Sequence, residues 1–421
     1  MRQTAVIQRD ECVVNSDRET SDDTGRRSRP TFALIVPWEL KHVGGVNRVV
    51  CDLYSGLARQ SDFQPLVIVS SWQHKCPENG LDTDGRRTLR FRFRAPFDHR
   101  SLTLRVLLSY AFHFPAQLRA IQRFVRSQNV KVANIHYVSG YAFTWAVLRW
   151  LGIYRGSLVL SFHGTDLHDL VACRGVVRKV CAWMFRHTDR LVVLSKDMER
   201  RLHSEFKIPA SRVRVICNGV DAERVRLLAT GASGVLENLS GAKLIVNLGT
   251  FDHVKGHDVL LQAFSRLQCE RTDVKLVIAG RAGKALAETR NAVRAANLTD
   301  RVTLCVDAPH QEAVRLLSAA CVVVVSSRRE GFPLVPLEAA VFRKPVVATA
   351  VGGIPEVIQS GVHGILVPPE NPDALYAALN TLLEDPVRAA RLADALHLRV
   401  IEEFTVQRTV DKYVQHNACS L

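Results

Sequence analysis

Short, unbroken runs of apolar and β-branched residues recur along this chain, and stretches with a helical pattern separate them. The runs read TFALIVP, QPLVIVSS, KVANIHY, SLVLSFHG, RLVVLSK and RVRVICNG in the first half, and KLIVNLG, VKLVIAG, RVTLCV, CVVVVSS, PVVATA and GILVP in the second. Strands that are buried on both faces give such runs, and parallel strands need long, usually helical, connections. The pattern therefore predicts an α/β protein whose parallel sheets are covered by helices on both faces.

One interruption divides this series of strands and helices. Between residues 228 and 242, LATGASGVLENLSGA is rich in small and turn-forming residues. We therefore predict two doubly wound, Rossmann-like domains, 31–228 and 242–395, that face each other across a cleft. A polar, disordered leader is predicted at 1–30, and a helix at 396–421 is predicted to pack back on the first domain. Because open α/β sheets bind ligands at the carboxyl ends of their strands, we expect a ligand in the cleft.

The two predicted halves differ in charge. Of the formal net charge of +15, residues 31–240 contribute +14 (30 basic, 16 acidic) and residues 241–421 contribute +1 (20 basic, 19 acidic). The segment from Arg86 to Lys131 holds eleven basic residues and one acidic residue, and its stretch LTLRVLLSYAFHF is largely apolar. Such a segment suits an anionic membrane surface, and a solvated arginine-rich face is the alternative. No nucleic-acid-binding motif accompanies the charge, so we expect no nucleic-acid partner.

No segment of the sequence reads as a secretion signal or as a membrane span. The best candidate for a span, 132–151, is interrupted by His136, Gly140 and Arg149, and we predict a buried helix there. The ten cysteines are scattered without short paired spacings, which indicates reduced thiols. These features predict a cytoplasmic protein.

Two glutamates, Glu330 and Glu338, flank an abrupt change from strand to helix in SSRREGFPLVPLEAAVFRKPVVAT. Pro333 marks the start of the helix, where a missing N–H costs nothing. The free N–H groups of Leu334 and Val335 then form an anion site at the positive end of the helix dipole. A carboxylate beside an anion site is unfavourable unless one ligand binds both the carboxylate and the anion site. The vicinal hydroxyls of a sugar or ribose are natural partners for the carboxylate.

The stretch EGFPLVPLE resembles the E-x7-E motif of the family-4 retaining glycosyltransferases (group 1 type, GT-B fold), and is similar to bacterial polysaccharide-biosynthesis enzymes. The resemblance is strong over most of 242–392 and weaker over 32–221. It implies transfer of a sugar from a UDP- or GDP-linked donor, with Glu330 on the donor sugar and Glu338 on the ribose. The donor would also contact the residues between them: Gly331, Phe332, Pro333, Leu334 and Val335.

A second stretch, GTFDHVKGHDVLLQAF, resembles the G-R-L-x-x-x-K-G element of the same family. Lys255 matches the lysine that balances the charge of the donor diphosphate, a task that suits a flexible cation. Thr250, however, stands where the family often has an arginine. We expect Arg281, Arg328 or Arg329, or the helix N-terminus, to take over that charge.

Further stretches match the family in the first half. PWELKHVGGVNRVV resembles its glycine loop, so Gly44 and Gly45 are expected near the donor phosphates, where glycine lets the backbone approach closely. SFHGTDL resembles an element with a histidine and, three residues on, an aspartate. His163 would then contact the sugar near its anomeric carbon, and Asp166 would position the sugar or the acceptor.

Three weaker signals remain. Asn218 in CNGVD is first of all turn chemistry, with a ligand contact as the alternative, and Gly353 in VGGIPEVI is expected near the sugar or phosphate. Asp82 and Asp84 form an Asp-x-Asp sequence in a polar turn, which we interpret as turn chemistry. We expect no metal and no cofactor other than the nucleotide sugar as substrate.

The resemblance implies a retaining hexosyltransferase with a front-face mechanism, and none of the carboxylates named above is placed as a nucleophile for double displacement. The acceptor implied by the resemblance is a glycan or a polyprenyl-linked glycan in cell-surface polysaccharide biosynthesis. The protein would then be peripheral at the inner face of the membrane, attracted by its basic first half. Two alternatives stay open: a GT-B sugar-nucleotide epimerase, and a non-enzymatic basic protein that binds membrane or nucleic acid.

Overall fold

The computed structural model describes residues 29–40, 44–59, 62–74, 76–97, 103–239 and 241–418. Nearly all of the leader predicted for residues 1–30 lies outside these ranges. Fourteen strands and sixteen helices are found in the described residues, and they form two α/β domains.

The first domain contains a sheet of eight strands. Its strands are β1 (Thr31–Val36), β2 (Gln64–Ser70), β3 (Glu78–Leu81), β4 (Arg87–Phe91), β5 (Val130–His136), β6 (Ser157–Ser161), β7 (Arg190–Val193) and β8 (Val213–Val215). Their order is β3-β4-β2-β1-β5-β6-β7-β8, and only the β3–β4 pair is antiparallel. Its helices are α1 (Gly45–Arg59), α2 (Leu104–Ser127), α3 (Ala142–Trp150), α4 (Thr165–Ala172), α5 (Gly175–Arg186), α6 (Lys196–Phe206), α7 (Ala222–Leu228) and α8 (Gly234–Glu237).

The second domain contains a fully parallel sheet of six strands. Its strands are β9 (Lys243–Leu248), β10 (Val274–Gly280), β11 (Val302–Val306), β12 (Val322–Val325), β13 (Val346–Thr349) and β14 (Ile365–Val367). Their order is β11-β10-β9-β12-β13-β14. The remaining helices are α9 (His257–Glu270), α10 (Leu286–Ala295), α11 (His310–Ala319), α12 (Leu334–Val341), α13 (Ile354–Val357), α14 (Pro372–Glu384), α15 (Pro386–Glu403) and α16 (Val406–Ala418).

Strand β1 shows why the apolar runs are unbroken. Successive side chains of a strand point to opposite faces. Phe32 and Leu34 belong to a core with α1 and α16, whereas Ala33 and Ile35 belong to a core with α2 and α3 on the other face. All four are 0% exposed. The predicted class, parallel sheets covered on both faces, is therefore confirmed.

The carboxyl terminus returns to the first domain, as predicted. The proposed boundary at residue 396 falls inside α15, which packs on α12, and the crossing occurs where Thr405 pairs with Val220. Helix α16 then lies against α1 so closely that a Cβ on Gly56 would be 2.4 Å from Val410.

Three local features differ from the sequence-based expectations. The hairpin of β3 and β4 was not predicted, because the β3 stretch ENGL is mostly polar and exposed at the sheet edge. Residues 132–151 form most of β5 and then α3, not one buried helix, because Tyr137 turns the chain with a φ of 60°. Cys76 is disulfide-bonded, so the prediction of reduced thiols is wrong there.

The structure also bears on the Asp-x-Asp sequence and on the search for a membrane span. The Oδ1 atom of Asp82 accepts hydrogen bonds from the backbone N–H groups of Asp84 and Arg86, both at 2.9 Å, so the Asp-x-Asp sequence forms a turn. Within the described part of the chain, no helix has the length and hydropathy needed to cross a bilayer.

Candidate active site

A cleft of about 640 Å³ lies between the two domains, at the carboxyl ends of both sheets. The loops after β1, β5 and β6 line it from the first domain, and the loops after β9, β10 and β12 line it from the second. The predicted site residues among its lining are Gly44, Gly45, His163, Thr250, Lys255, Glu330 and Gly331. The structure thus brings residues from distant motifs to one place.

The centre of the second-domain wall is an ion pair. The Nζ atom of Lys255 lies 2.5 Å from Oε1 of Glu330, and the same oxygen accepts a hydrogen bond from the Ser327 hydroxyl at 2.9 Å. Both side chains keep some contact with solvent, at 25% and 15% exposed. The Ser326 hydroxyl also donates a hydrogen bond to the backbone oxygen of Lys255 at 2.9 Å. The loop after β9, which contains Lys255, is thus held to the loop after β12, which contains Glu330.

The N-terminus of α12 follows Glu330 closely. Its N-cap residue is Pro333, and no side chain caps the helix. Phe332, Pro333, Leu334 and Val335, which the resemblance places against the donor, lie next to Gly331 in the chain but outside the cleft lining. Gly331 lies directly against the other domain: a Cβ there would be 2.6 Å from the backbone oxygen of His163. Gly353 is packed in turn on Gly331, behind the cleft lining.

The second glutamate of the motif, Glu338, lies outside the cleft lining. It is 5% exposed and forms an ion pair with Arg48 of α1, in the first domain. The Nε2 atom of His310 also lies 3.1 Å from its Oε1. Burial raises the pKa of Glu338, but Arg48 and His310 lower it by more. The net pKa is therefore below its ordinary value, and the carboxylate stays ionised. Arg48 is therefore paired with Glu338, the carboxylate that the resemblance assigns to binding the ribose.

Asp166 holds the loop of His163 from beneath. Its Oδ1 accepts hydrogen bonds from the backbone N–H groups of His163, Gly164 and Leu167, each at 2.9 Å, and its Oδ2 accepts one from Val138 at 2.9 Å. Burial raises the pKa of Asp166 to about 6, against the lowering effect of these four donors. Asp166 is 2% exposed and lies outside the cleft lining, so it acts on the loop rather than on a ligand.

The histidine itself, His163, lies at the cleft wall between the domains. Burial lowers its pKa to about 4, so the imidazole is neutral at physiological pH. A neutral imidazole presents either an N–H donor or a lone pair to a ligand, depending on its tautomer. Asn218, by contrast, is 4% exposed in the turn after β8 and lies outside the cleft lining.

The three arginines considered as replacements at position 250 have different surroundings. Arg328 binds both carboxylate oxygens of Asp258 and one of Glu370, so it is engaged on the outer surface. Arg281 and Arg329 line the cleft together with Thr250. Among the described residues, the second-domain wall therefore contains three cations: Lys255, Arg281 and Arg329.

Several lining residues had not been singled out from the sequence. Trp38 and Tyr137 are in edge contact with ring centroids 4.8 Å apart, and Arg201 reaches the wall from α6 beside His168. Tyr137 directly follows β5, so the rule that ligands bind at strand ends could have found it. Arg201 lies inside a helix, where no local pattern distinguishes it from an ordinary surface arginine.

The arrangement suits a ligand with both anionic and hydroxyl groups. The cations and the α12 N-terminus can bind phosphate oxygens, whereas Glu330 and His163 can bind hydroxyl groups. The aromatic pair Trp38 and Tyr137, whose rings meet at an angle of 63°, adds apolar surface to the first-domain wall.

Both domains match known family models. Residues 43–224 match the model described as glycosyltransferase family 4, and residues 234–397 match the model described as glycosyl transferases group 1. Glycogen synthase from Mycobacterium tuberculosis (strain ATCC 25618 / H37Rv) is 28% identical over 264 residues, which cover 60% of this chain and 61% of the relative. D-inositol 3-phosphate glycosyltransferase from Mycolicibacterium gilvum is 34% identical over 214 residues, covering 49% and 47%. The chain thus matches about half to three fifths of the length of these curated relatives.

A solved structure shows the same fold. Anabaena HepE in complex with UDP-glucose superposes with a TM-score of 0.70 and 17% sequence identity, and the match covers 92% of this chain and 99% of that chain. At this identity the likeness establishes the architecture of two domains around a cleft.

Proposed function

Because the chain belongs to the family-4 glycosyltransferases and has the GT-B fold, we propose that it transfers a hexose from a nucleotide-sugar donor to a glycan or lipid-linked acceptor, with retention of anomeric configuration. The contact between Lys255 and Glu330, 2.5 Å apart beside the α12 N-terminus, carries this proposal. It places a cation for a diphosphate next to a carboxylate for sugar hydroxyls. The likeness to HepE, which was solved with UDP-glucose, supports a donor of this type.

The mechanism we propose is attack from the front face. Within the described lining, the carboxylates are Asp252 and Glu330, and Glu330 is engaged by Lys255 and Ser327. An acceptor hydroxyl would attack the anomeric carbon from the side on which the diphosphate leaves. As the new C–O bond forms, the bond to the diphosphate breaks, and an oxygen of the leaving phosphate takes the proton of the hydroxyl. Lys255 and the α12 N-terminus would stabilise the negative charge of the leaving group.

A donor panel tests this proposal. Purified protein is incubated with UDP-glucose, UDP-galactose, UDP-N-acetylglucosamine and GDP-mannose, with and without a membrane extract as the acceptor. We expect one donor to release its nucleoside diphosphate, more strongly when the extract is present, and NMR of the product to show the anomeric configuration of the donor. Nucleotide release independent of acceptor would favour an epimerase, and inverted product would exclude the retaining mechanism.

For the acceptor side we propose a peripheral position at the cytoplasmic face of the membrane, in cell-surface polysaccharide biosynthesis. On α2, the side chains of Leu104, Leu108 and Phe112 are 72%, 61% and 82% exposed, and their spacing of four residues places them on one stripe. The exposed arginines Arg119 and Arg123 continue this stripe. An apolar stripe next to cations complements a bilayer with anionic headgroups, which would bring a lipid-linked acceptor to the cleft.

Flotation with lipid vesicles tests the membrane position. We expect the protein to float with vesicles that contain phosphatidylglycerol, to stay behind with pure phosphatidylcholine, and to dissociate as salt is raised. Replacing Leu104, Leu108 and Phe112 by serine should abolish flotation. A matched control replaces Leu227 and Val387, which are 70% and 82% exposed elsewhere, and should keep it. Equal flotation of both variants would contradict the proposed surface.

A further inference from the structure

A second histidine lies directly behind His163. His136, the last residue of β5, is 0% exposed, and its Nδ1 atom lies 3.0 Å from Nε2 of His163. The two rings are tilted by 38°, with centroids 5.3 Å apart. Because β5 and β6 are adjacent parallel strands with His136 opposite Ser161, the sheet itself brings the two rings together. Nothing in the sequence motifs pointed to His136.

The contact between the two histidines requires that one of the two facing ring nitrogens is protonated and the other is not. Two imidazole nitrogens 3.0 Å apart form a hydrogen bond only if one carries a proton and the other does not. Burial lowers the pKa of His163 to about 4, and burial together with His163 lowers the pKa of His136 well below its ordinary value. Both rings are therefore neutral at physiological pH, each with a single N–H. The choice of donor within the pair decides which nitrogen of His163 carries the proton.

The surroundings of His136 favour one of the two arrangements. Its Nε2 atom is buried and has no hydrogen-bond partner among the described residues. If His163 donated, His136 would have to carry its own proton on this Nε2 and bury an unpaired N–H group. Unpaired buried N–H groups are rarer in proteins than unpaired acceptors. The favoured arrangement thus has Nδ1–H of His136 donating to Nε2 of His163.

We propose that His136 is a positioning residue that holds His163 as the Nδ1–H tautomer, with this N–H available to a ligand in the cleft. Nε2 of His163 is occupied by His136, so Nδ1 is the ring nitrogen left for a ligand. A neutral N–H donor can bind a sugar hydroxyl, and it adds no positive charge to the cations of the opposite wall. The inference rests on the proposed function for the identity of the ligand, whereas the tautomer is a property of the protein alone.

The groups packed around the pair hold it in place without competing for its protons. The Tyr141 hydroxyl donates to the backbone oxygen of His136 at 2.5 Å, which fixes the end of β5. The Tyr413 ring of α16 lies 6.3 Å from the ring of His136, and its hydroxyl is engaged with Ser161 at 3.1 Å. Asp166 binds the backbone, not the ring, of His163. The two imidazoles are thus the titratable side chains in direct contact within the described surroundings of the pair.

Nitrogen NMR tests the tautomer without any substrate. In protein with ¹⁵N-labelled histidine, the His163 signals are assigned by their loss in His163→Gln. We expect wild type to show a protonated Nδ1 and an unprotonated Nε2 at His163. His136→Asn places an amide N–H where Nδ1–H was and should keep this state, whereas His136→Leu should give a mixture of tautomers. A protonated Nε2 in wild type, or an unchanged tautomer in His136→Leu, would overturn the proposal.

Kinetics with the active donor of the panel test the consequence. Loss of one oriented hydrogen bond in the transition state should lower kcat roughly tenfold in His136→Leu, with little change in the donor KM. His136→Asn should recover most of kcat, which a purely structural role of the ring would not predict. Equal loss in both variants, at unchanged thermal stability, would contradict the positioning role. If wild type transfers no sugar, the proposed function fails, and the NMR result still decides the tautomer.

Discussion

The two walls of the cleft are built in different ways. The second-domain wall is ionic and partly exposed, with Lys255 against Glu330 and further arginines beside them. The first-domain wall rests instead on hydrogen bonds: the half-buried ring of His163 is bonded to the buried His136, and behind the lining Asp166 accepts four backbone hydrogen bonds. The two walls meet where Gly331 touches the backbone of His163.

This difference indicates a division of tasks. An ion pair near solvent can open and re-form as a charged ligand arrives and leaves, because water compensates its partners. A buried hydrogen-bonded loop cannot rearrange without leaving polar groups unpaired, so it keeps one geometry. We therefore expect substitutions on the first-domain wall to cost stability, and substitutions on the second-domain wall to cost activity at little loss of stability.

The largest expected effect is on stability, at Asp166. In Asp166→Ala, four backbone N–H groups lose their acceptor in a buried loop, and we expect the free energy of unfolding to fall by about 3–5 kcal/mol. Urea denaturation measures this change. The control is Asp197→Ala, at an aspartate paired with Arg200 on the exposed first turn of α6, which should cost less than about 1 kcal/mol. A loss at Asp166 no greater than in the control would remove the contrast between the walls.

The next effect is on activity, at Lys255. Lys255→Ala removes the cation beside Glu330, and we expect kcat to fall by about 10²–10³-fold, with the free energy of unfolding nearly unchanged. Initial rates with the donor of the panel measure this, and thermal denaturation checks the fold. Lys284→Ala, at an exposed lysine of the same domain outside the cleft lining, should behave as wild type. Full activity in Lys255→Ala would remove the main support for the proposed site.

Residues close to strand ends could be predicted from the sequence, and partners from other elements could not. The apolar runs predicted twelve of the fourteen strands found in the described residues, because strands that are largely shielded on both faces leave a continuous apolar signal, whereas the exposed β3 gives none. Lys255 and Glu330 come from two motifs that each follow a strand, so their meeting could be expected. The ion pair of Arg48 with Glu338 joins residues 290 positions apart in different domains, and no local pattern encodes such a contact.

Acid sensitivity gives a smaller effect. Burial lowers the pKa values of His163 and His257 to about 4, and burial together with His163 lowers that of His136 well below its ordinary value. Between pH 6.5 and 4 the unfolded chain binds protons at these histidines and the folded chain does not, so their contribution to stability falls as pH falls; Asp166, whose pKa burial raises to about 6, contributes with the opposite sign. Each histidine contributes up to about 1.4 kcal/mol per pH unit in this range. Urea denaturation from pH 7 to pH 4.5 measures the slope.

Substitution of the histidines tests which domain causes most of this loss of stability in acid. Two of the three histidines belong to the first-domain wall, and His257 belongs to the second domain, after Lys255. We expect the combined variant His136→Asn and His163→Gln to reduce the slope more than His257→Leu does. A larger change in His257→Leu would mean that the buried histidines of the first-domain wall do not dominate the response to acid.

The smallest expected effect is a gain, at Thr250. Thr250→Arg adds a guanidinium to the second-domain wall at a half-buried position of the lining. One more charge-assisted hydrogen bond to a diphosphate at such a site should contribute about 1 kcal/mol to binding, which is roughly fivefold in affinity. Isothermal titration with UDP or GDP, whichever the donor panel selects, measures the gain, and Thr250→Gln separates charge from size. The nucleoside without phosphates should bind equally to all three proteins. If Thr250→Arg binds the diphosphate no better than Thr250→Gln, then Arg281 and Arg329 already supply the missing charge, and the ionic wall is complete without an arginine at position 250.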